Sequence, residues 1–169
     1  MKRDARPTLA SAIAELQRVL GPAKVMTDPD QLICYSYDAS FESMMTPRLP
    51  DVVVLPADTT DVARTVACAA RHRVPVTARG ASTGQAGGAL AAQGGIVLDM
   101  SRMNRILELD TENLQVIVEP GVVHADLNAF LAKPSAGWSP ITRGACGRSS
   151  TARQAITSWG WRSCWRMGR

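Results

Sequence analysis

The sequence predicts an α+β fold in which a small parallel strand–helix–strand unit is followed by antiparallel strands. Three observations carry that prediction. Val52 to Leu55 and Val74 to Thr77 are short apolar runs separated by a helix-length segment, which implies a right-handed crossover and parallel pairing. A glycine-rich turn, Arg79 to Gly88, follows the second run and leads to another strand at Gly95 to Leu98. Beyond it, Met103 to Asp110 leads into a strand, Thr111-Glu112-Asn113 makes a turn and Leu114 to Val118 forms another strand, an antiparallel meander after the short crossover.

Taken in order, Thr8 to Leu20 has helical spacing, with Leu9, Ile13, Leu16 and Leu20 on one face, Pro7 before it and Gly21-Pro22 after it. Residues 21–50 hold Asp28-Pro29-Asp30, a helix-like run DQLICYSYD and a Pro/Met/Thr-rich connector ending at Pro50. Tyr35, Tyr37 and Asp38 are the polar and aromatic features there, and packing onto the next layer is their expected use. Pro56 stops the first apolar strand. Asp58-Thr59-Thr60 can cap a helix running to about Arg71, with Val62, Ala63, Val66, Ala69 and Ala70 as its buried stripe. Glu119-Pro120-Gly121 ends the last strand, and Val122 to Leu131 reads as a helix with Val123, Leu127 and Leu131 in line.

The composition, 46% apolar and 20% charged, is that of a globular protein and not of a disordered one. No apolar run approaches membrane-spanning length, and the basic start MKRDARPTLASAI lacks an apolar signal core, so export is not expected. Cys34, Cys68, Cys146 and Cys164 fit neither a zinc pattern nor a disulfide framework, which points to reduced thiols and a cytoplasmic setting. His72 and His124 are far apart and no carboxylate cluster accompanies them, so no metal set is predicted.

The glycine turn carries the chemistry. Gly80, Gly84, Gly87 and Gly88 lie there with Ser82 and Thr83 between them. Glycine lets backbone approach a ligand closely, and successive amides in a curved turn form an anion-binding concavity that hydroxyls and an arginine can complete. No Gly-Lys-Ser/Thr follows, and no helix of adequate length opens after the glycines. The turn is therefore neither a nucleoside-triphosphate loop nor the dinucleotide fingerprint, but a phosphate cradle of another type.

With these segments in this order, the chain resembles the flavin-binding domain of the FAD-linked oxidases of the vanillyl-alcohol-oxidase and PCMH type. The nearest branch is similar to the glycolate oxidase D-subunit and D-lactate dehydrogenase-like proteins. The resemblance covers about residues 8–131 and rests on Tyr35 with Asp38, PDVVVLPADTTDVARTVACA, VPVTARGASTGQAGGAL, GGIVLDMSRMNRI and VIVEPGVVHADLNAFL. It implies the first subdomain of the PCMH-type FAD-binding fold, without its second subdomain. It also implies FAD as cofactor, with its pyrophosphate wrapped by backbone at Arg79, Gly80, Ala81, Ser82, Thr83 and Gly84. Gly87 and Gly88 then continue the loop, and Pro120 and Gly121 lie on the adenine-side half. Where the family's turn reads Gly-x-Gly, this chain has Gly80-Ala81-Ser82; if the third position needs positive φ, serine there costs about 1–2 kcal/mol. No histidine or cysteine lies in the loop, so covalent flavin attachment is not indicated. Full-length relatives oxidise a 2-hydroxy acid of the glycolate or D-lactate type by hydride transfer to flavin, and redox partner subunits and a peripheral association with the inner membrane come with that branch. No catalytic base is assigned, His124 included. The alternative from another class is a non-catalytic remnant that binds a partner protein without flavin.

Residues 133–169 differ in kind. Residues 1–132 carry 12 Lys+Arg and 15 Asp+Glu, whereas 133–169 carry seven Lys+Arg, no acid and all four tryptophans, Trp138, Trp159, Trp161 and Trp165. A basic, aromatic tract is one signature of a nucleic-acid surface. The genetic code offers a simpler account. Each codon's third base read with the next codon's first two, from Trp159 to Gly168, permits GLEVVLADG, and Gly147 to Ala152 permits AVKYG, both in keeping with the family. The expectation is a shifted-frame product from about residue 133, with no nucleic-acid partner and an inactive fragment as the result. The expected divisions are an N-terminal helical segment and connector over 1–49, a partial FAD-binding domain over 50–132 and the tail over 133–169.

Overall fold

The computed structural model describes residues 7–113 and 115–132. The tail, with its tryptophans, Cys146 and Cys164, lies outside the described residues, as does Leu114, the predicted start of the last strand. The chain divides into two compact units, Met1–Arg102 and Met103–Arg169.

In the first unit, helix α1 (Pro7–Leu20) buries Ala12, Leu16 and Leu20. Strand β1 (Val25–Met26) follows, a two-residue element that no periodicity announces. Asp28 then accepts the Asp30 amide and caps helix α2 (Pro29–Leu32), which runs into a 3-10 turn over Ile33–Tyr35. Ser40 caps helix α3 (Phe41–Met45), inside the stretch predicted as a connector. Strand β2 (Val52–Val54), helix α4 (Thr59–His72), strand β3 (Val76–Arg79) and strand β4 (Ile96–Asp99) complete the unit.

The sheet order is β1-β2-β4-β3, with β1 antiparallel to β2 and the other pairs parallel. The crossover through α4 does give parallel strands, but β2 and β3 do not pair with each other; β4 sits between them. Burial explains the insertion. All four residues of β4 are buried, as a strand covered on both faces requires, whereas β3 alternates and is half-exposed, which suits an edge. Val53 and Val97 form a core cluster with Leu32 and Ala91, against which Met26, Tyr35, Leu49 and Leu55 pack.

Gly95 fixes the entry to β4. Its φ is +82°, and an added Cβ would be driven into the Pro75 carbonyl oxygen and lie 2.7 Å from the Pro75 Cγ. Its amide donates to Asp51 Oδ2 at 2.6 Å and its carbonyl accepts from the Asp51 and Val52 amides.

Helix α4 turns a different face inward from the one its apolar pattern predicts. Asp61, Val62, Thr65, Cys68 and Ala69 are buried, while Val66 and Ala70 are exposed. Three of the inward residues are polar by type, and each has a partner. Asp61 accepts from Lys24 Nζ at 2.6 Å and from the Ala57 amide at 3.0 Å, the Thr65 hydroxyl donates to the Asp61 carbonyl, and the Cys68 thiol faces the Ala12 carbonyl. Asp58 caps the helix start through the Asp61 amide. At the other end Arg73, at φ 54°, donates to Ala70 O and Val74 to Ala69 O, a Schellman-type stop with arginine in the place usually held by glycine.

The second unit contains the hairpin β5 (Ile106–Asp110) and β6 (Gln115–Val118), antiparallel as predicted and with an irregularity between Ile106 and Glu108. Asp110 shapes the turn, its carboxylate accepting from the Glu112 and Asn113 amides and from Asn113 Nδ2. Helix α5 (His124–Leu131) starts two residues later than predicted, with Val123 as an exposed N-cap. The expected stripe of Val123, Leu127 and Leu131 is not buried among the described residues.

Candidate functional site

Strand β3 ends at Arg79, so the glycine turn leaves from the C-terminal end of a parallel strand, the end at which open α/β sheets bind ligands. Arg79 is buried. Its guanidinium donates to the Tyr37 and Cys34 carbonyls, at 2.9 and 3.3 Å, and lies 5.1 Å from the centre of the Tyr35 ring. Its side chain thus holds the 34–37 segment against the sheet end, a positioning role, and what the turn offers an anion is backbone.

Beside it, Asp99 is the register partner of Arg79 at the end of β4. The Tyr35 hydroxyl donates to Asp99 Oδ2 at 2.7 Å, and the Ser101 amide donates to Oδ1. Burial, then this carboxylate, push the Tyr35 phenol up to about 12, so it stays a donor at any ordinary pH. Sequence reading singled out Tyr35 and missed Asp99, 64 residues away, because it stands at the end of an otherwise apolar strand.

The turn is tied to the segment before α3. Ser82 O accepts from the Ala39 amide at 3.1 Å. Asp38 accepts from the Ser40 amide and hydroxyl, and the Ser43 hydroxyl donates to the Asp38 carbonyl. The Ser40 hydroxyl leads in holding the Asp38 carboxyl below its usual range, and the Ala89 amide adds to the effect. Ser82 sits at φ 56°, the left-handed conformation that the departure from Gly-x-Gly put in question. Its hydroxyl oxygen is buried and makes no hydrogen bond, and Asp38 Oδ2 likewise has none of ordinary geometry.

The site residues read from sequence fall in two places. Arg79, Gly80, Ala81, Ser82, Thr83, Gly84, Gly87 and Gly88 belong to one continuous turn in the first unit. Of its glycines Gly87 alone has positive φ, at 71°. At Gly84 and Gly88 a Cβ would meet nothing within 4 Å, so neither conformation nor internal packing accounts for glycine there. Among the described residues the amides of Ala81, Ser82, Thr83 and Gly84 meet no acceptor. A bare, glycine-lined run of free amides beside an unpartnered buried hydroxyl fits a diphosphate. Pro120 and Gly121 lie in the second unit, in the turn after β6, where the Gly121 amide donates to Met103 O at 2.8 Å. The adjacent Glu119 is buried and accepts from the Arg105 amide, Nε and Nη2 at 2.8, 3.0 and 2.6 Å. His124 is exposed, with its Nδ1 3.3 Å from Asn128 Nδ2.

Two other features lie away from the turn. A hollow of about 520 Å³ lined by Arg73, Val74, Pro75 and Gln93 opens at the start of β3, the opposite end of the strand, and lacks the turn's row of amides. The packing of α1 on α4 also brings a carboxylate, Glu15, to His72 and Cys68, a grouping that sequence spacing did not reveal.

Comparison with known proteins agrees with the fold. A family model described as "FAD binding domain" matches residues 50–162, which extends beyond the expected boundary at 132. The glycolate oxidase subunit GlcD of Bacillus subtilis is 38% identical over 115 residues, 67% of this chain and 23% of that protein. The D-2-hydroxyglutarate dehydrogenase of Stutzerimonas stutzeri is 33% identical over 137 residues, 81% of this chain and 29% of that protein. Among solved structures, p-cresol methylhydroxylase aligns with a TM-score of 0.68 at 24% identity, over 78% of this chain and 26% of that one, a likeness of fold. The chain spans about a quarter of the length of these relatives. With strand order and family model in agreement, the chain belongs to the FAD-linked oxidase family and carries the N-terminal part of its PCMH-type FAD-binding fold.

Proposed function

We propose that the turn from Arg79 to Gly88 holds the pyrophosphate of FAD, and that the longer protein of which this fold is the N-terminal part oxidises a 2-hydroxy acid of the glycolate or D-lactate type. The observation that carries the reading is the run of amides from Ala81 to Gly84 that meets no acceptor among the described residues. Ser82 Oγ is an unpartnered hydroxyl in the same run, and a Cβ at Gly84 or Gly88 would meet nothing within 4 Å, which leaves the approach open. FAD, when bound, supplies the hydride acceptor. This chain's residues bind and orient: backbone amides take the phosphate oxygens, Arg79 fixes the turn's base through the Cys34 and Tyr37 carbonyls, and Pro120 and Gly121 serve the adenine-side half. No group among the described residues is assigned the substrate proton.

Gly80, Ala81, Thr83, Gly84, Gln85, Ala86 and Gly88 are exposed, whereas cofactor pockets bury most of their ligand. Residues 1–169 alone are therefore expected to hold FAD weakly and to turn over no hydroxy acid; the reach of the family model to residue 162 counts against a shifted frame that begins at about residue 133. Cytoplasmic residence and redox partner subunits complete the reading; among the described residues no helix is long and apolar enough to cross a membrane.

Gly84→Asp in a gene restored to the relatives' length is the test. A Cβ at Gly84 meets nothing within 4 Å and Gly84 is exposed, so the protein should stay folded while the carboxylate repels the diphosphate. Flavin content after dialysis should fall more than about tenfold, the scale of one lost charge-assisted contact. Unchanged flavin content would remove the turn from the site. Dye reduction by glycolate, D-lactate and D-2-hydroxyglutarate in the restored parent identifies the substrate class, and no reduction by any of them would overturn it. A yellow, active 1–169 chain would overturn the expected weak binding and inactivity.

A further inference from the structure

We propose that Glu15, Cys68 and His72 form a site for a thiophilic divalent cation, with zinc the best chemical match, which pins α1 to α4 on the side of the unit away from the glycine turn. Cys68 and His72 stand four residues apart, on one face of α4, and Glu15 reaches them from α1. One ligand atom from each lies within 4.8 Å of the others, and His72 Nε2 is 2.9 Å from Glu15 Oε2. Zinc bonded to sulfur at about 2.3 Å and to nitrogen and oxygen at about 2.0–2.2 Å sets tetrahedral ligand atoms about 3.3–3.8 Å apart. On binding, the three side chains would adjust to bring these atoms into that range.

The surroundings suit a metal. The other Glu15 oxygen is held by the Arg71 guanidinium, which leaves Oε2 to coordinate and orients the carboxylate as an outer-shell partner does. The Cys68 thiol has in its place a weak contact, 3.7 Å to Ala12 O. The His72 and Glu15 side chains are 21% and 22% exposed, which leaves a fourth position for water. On binding, the Cys68 S–H bond breaks, its proton goes to solvent and the thiolate bonds to the cation, with no change of oxidation state.

Cobalt(II) is the probe, added to the reduced 169-residue chain. Expected are visible d–d bands of tetrahedral intensity and a near-ultraviolet thiolate-to-cobalt band, saturating at equimolar metal and displaced by zinc. Cys68→Ser should abolish the near-ultraviolet band, and His72→Gln should weaken cobalt binding by about tenfold or more. Replacing Cys34, Cys146 and Cys164 together by serine should leave both features, which separates this thiol from the others. A band that survives in Cys68→Ser, one that vanishes in the triple variant, or no band in the parent overturns the site. Far-ultraviolet circular dichroism confirms that each variant is folded, and His72→Gln decides the matter if Cys68→Ser is not.

Discussion

In the first unit Val52, Val53, Val54, Ile96 and Val97 have no exposed surface, whereas in the described part of the second only Met103 and Glu119 are buried. The first is a sheet whose central strands are apolar on both faces. The second is a hairpin and a short helix that leave Leu107, Ile117 and Val123 exposed and keep their shape through an Asp110 turn and the Glu119–Arg105 pair. Apolar burial resists pH and salt, while charge-assisted bonds at half-exposed positions follow both. One chain thus contains two regions with different weak points, and hydrogen exchange read separately over 50–102 and 103–132 can tell them apart.

The largest effect is expected at Gly95. Gly95→Ala forces a side chain into φ +82° and into the Pro75 carbonyl, combining backbone strain of about 1–3 kcal/mol with an overpacking penalty of similar size. Exchange should rise across β2, β3 and β4 and the chemical-denaturation midpoint should fall. A midpoint within experimental error of the parent would show that Pro75 yields, and that Gly95 does not set the β4 entry.

Next comes Glu119→Gln, which keeps the shape and removes the charge that three Arg105 donors share. Bonds to a charged group are worth about 1.5–3 kcal/mol, and the exposure of the Arg105 side chain places this pair nearer 1 kcal/mol. Amides of 106–118 should exchange faster while those of β2 and β4 do not change. Equal acceleration in both regions would mean that the units are not independently stabilised.

Acid should separate the regions in the same order. Arg105 holds the Glu119 carboxyl below its ordinary 4.5, against burial. Its folded value is depressed, so its contribution is present above pH 4.5 and is lost as the pH falls through the folded value. Burial pushes Asp61 up, but Lys24 and the Ala57 amide prevail and its carboxyl is lowered too, and His72 and Arg71 hold the Glu15 carboxyl below 4.5, so the first unit also loses charge-assisted contacts in acid. The apolar strands remain there, and the hairpin should lose protection at the higher pH. Simultaneous loss in both regions on acid titration would contradict the distinction.

The same contrast explains what could be read from the residues alone. The strands were legible because Val52 to Val54 and Ile96 to Leu98 are apolar throughout, and the turn because glycine composition is local. The inward face of α4 was not, since Asp61, Thr65 and Cys68 are polar by type and find their partners in Lys24, in the Asp61 carbonyl of the same helix and in Ala12 of α1. Strand β1 has two residues and no period, and α3 exposes Phe41, Met44 and Met45, so neither presents a pattern. At the site, the turn and Tyr35 were visible, while Asp99 and the Glu15–Cys68–His72 grouping depend on contacts across more than fifty residues.

Ser82 offers the smallest and most discriminating change. Serine at φ 56° is strained, and its buried hydroxyl has no partner, so Ser82→Gly removes two unfavourable features of the flavin-free fold. Glycine also makes the unfolded chain more flexible, which offsets about 0.4–1 kcal/mol of that gain. The net should be a stabilisation of about 1 kcal/mol or less in the absence of flavin, seen as a small rise in denaturation midpoint. If Ser82 Oγ is kept for a phosphate oxygen, the restored long form should respond the other way, with weaker FAD retention despite the better turn. Opposite signs in the two measurements would tie the strain at this position to the cofactor. A variant that gains stability and also binds FAD as well or better would show that Ser82 is a plain departure from the family's glycine, and that the backbone amides alone hold the phosphate.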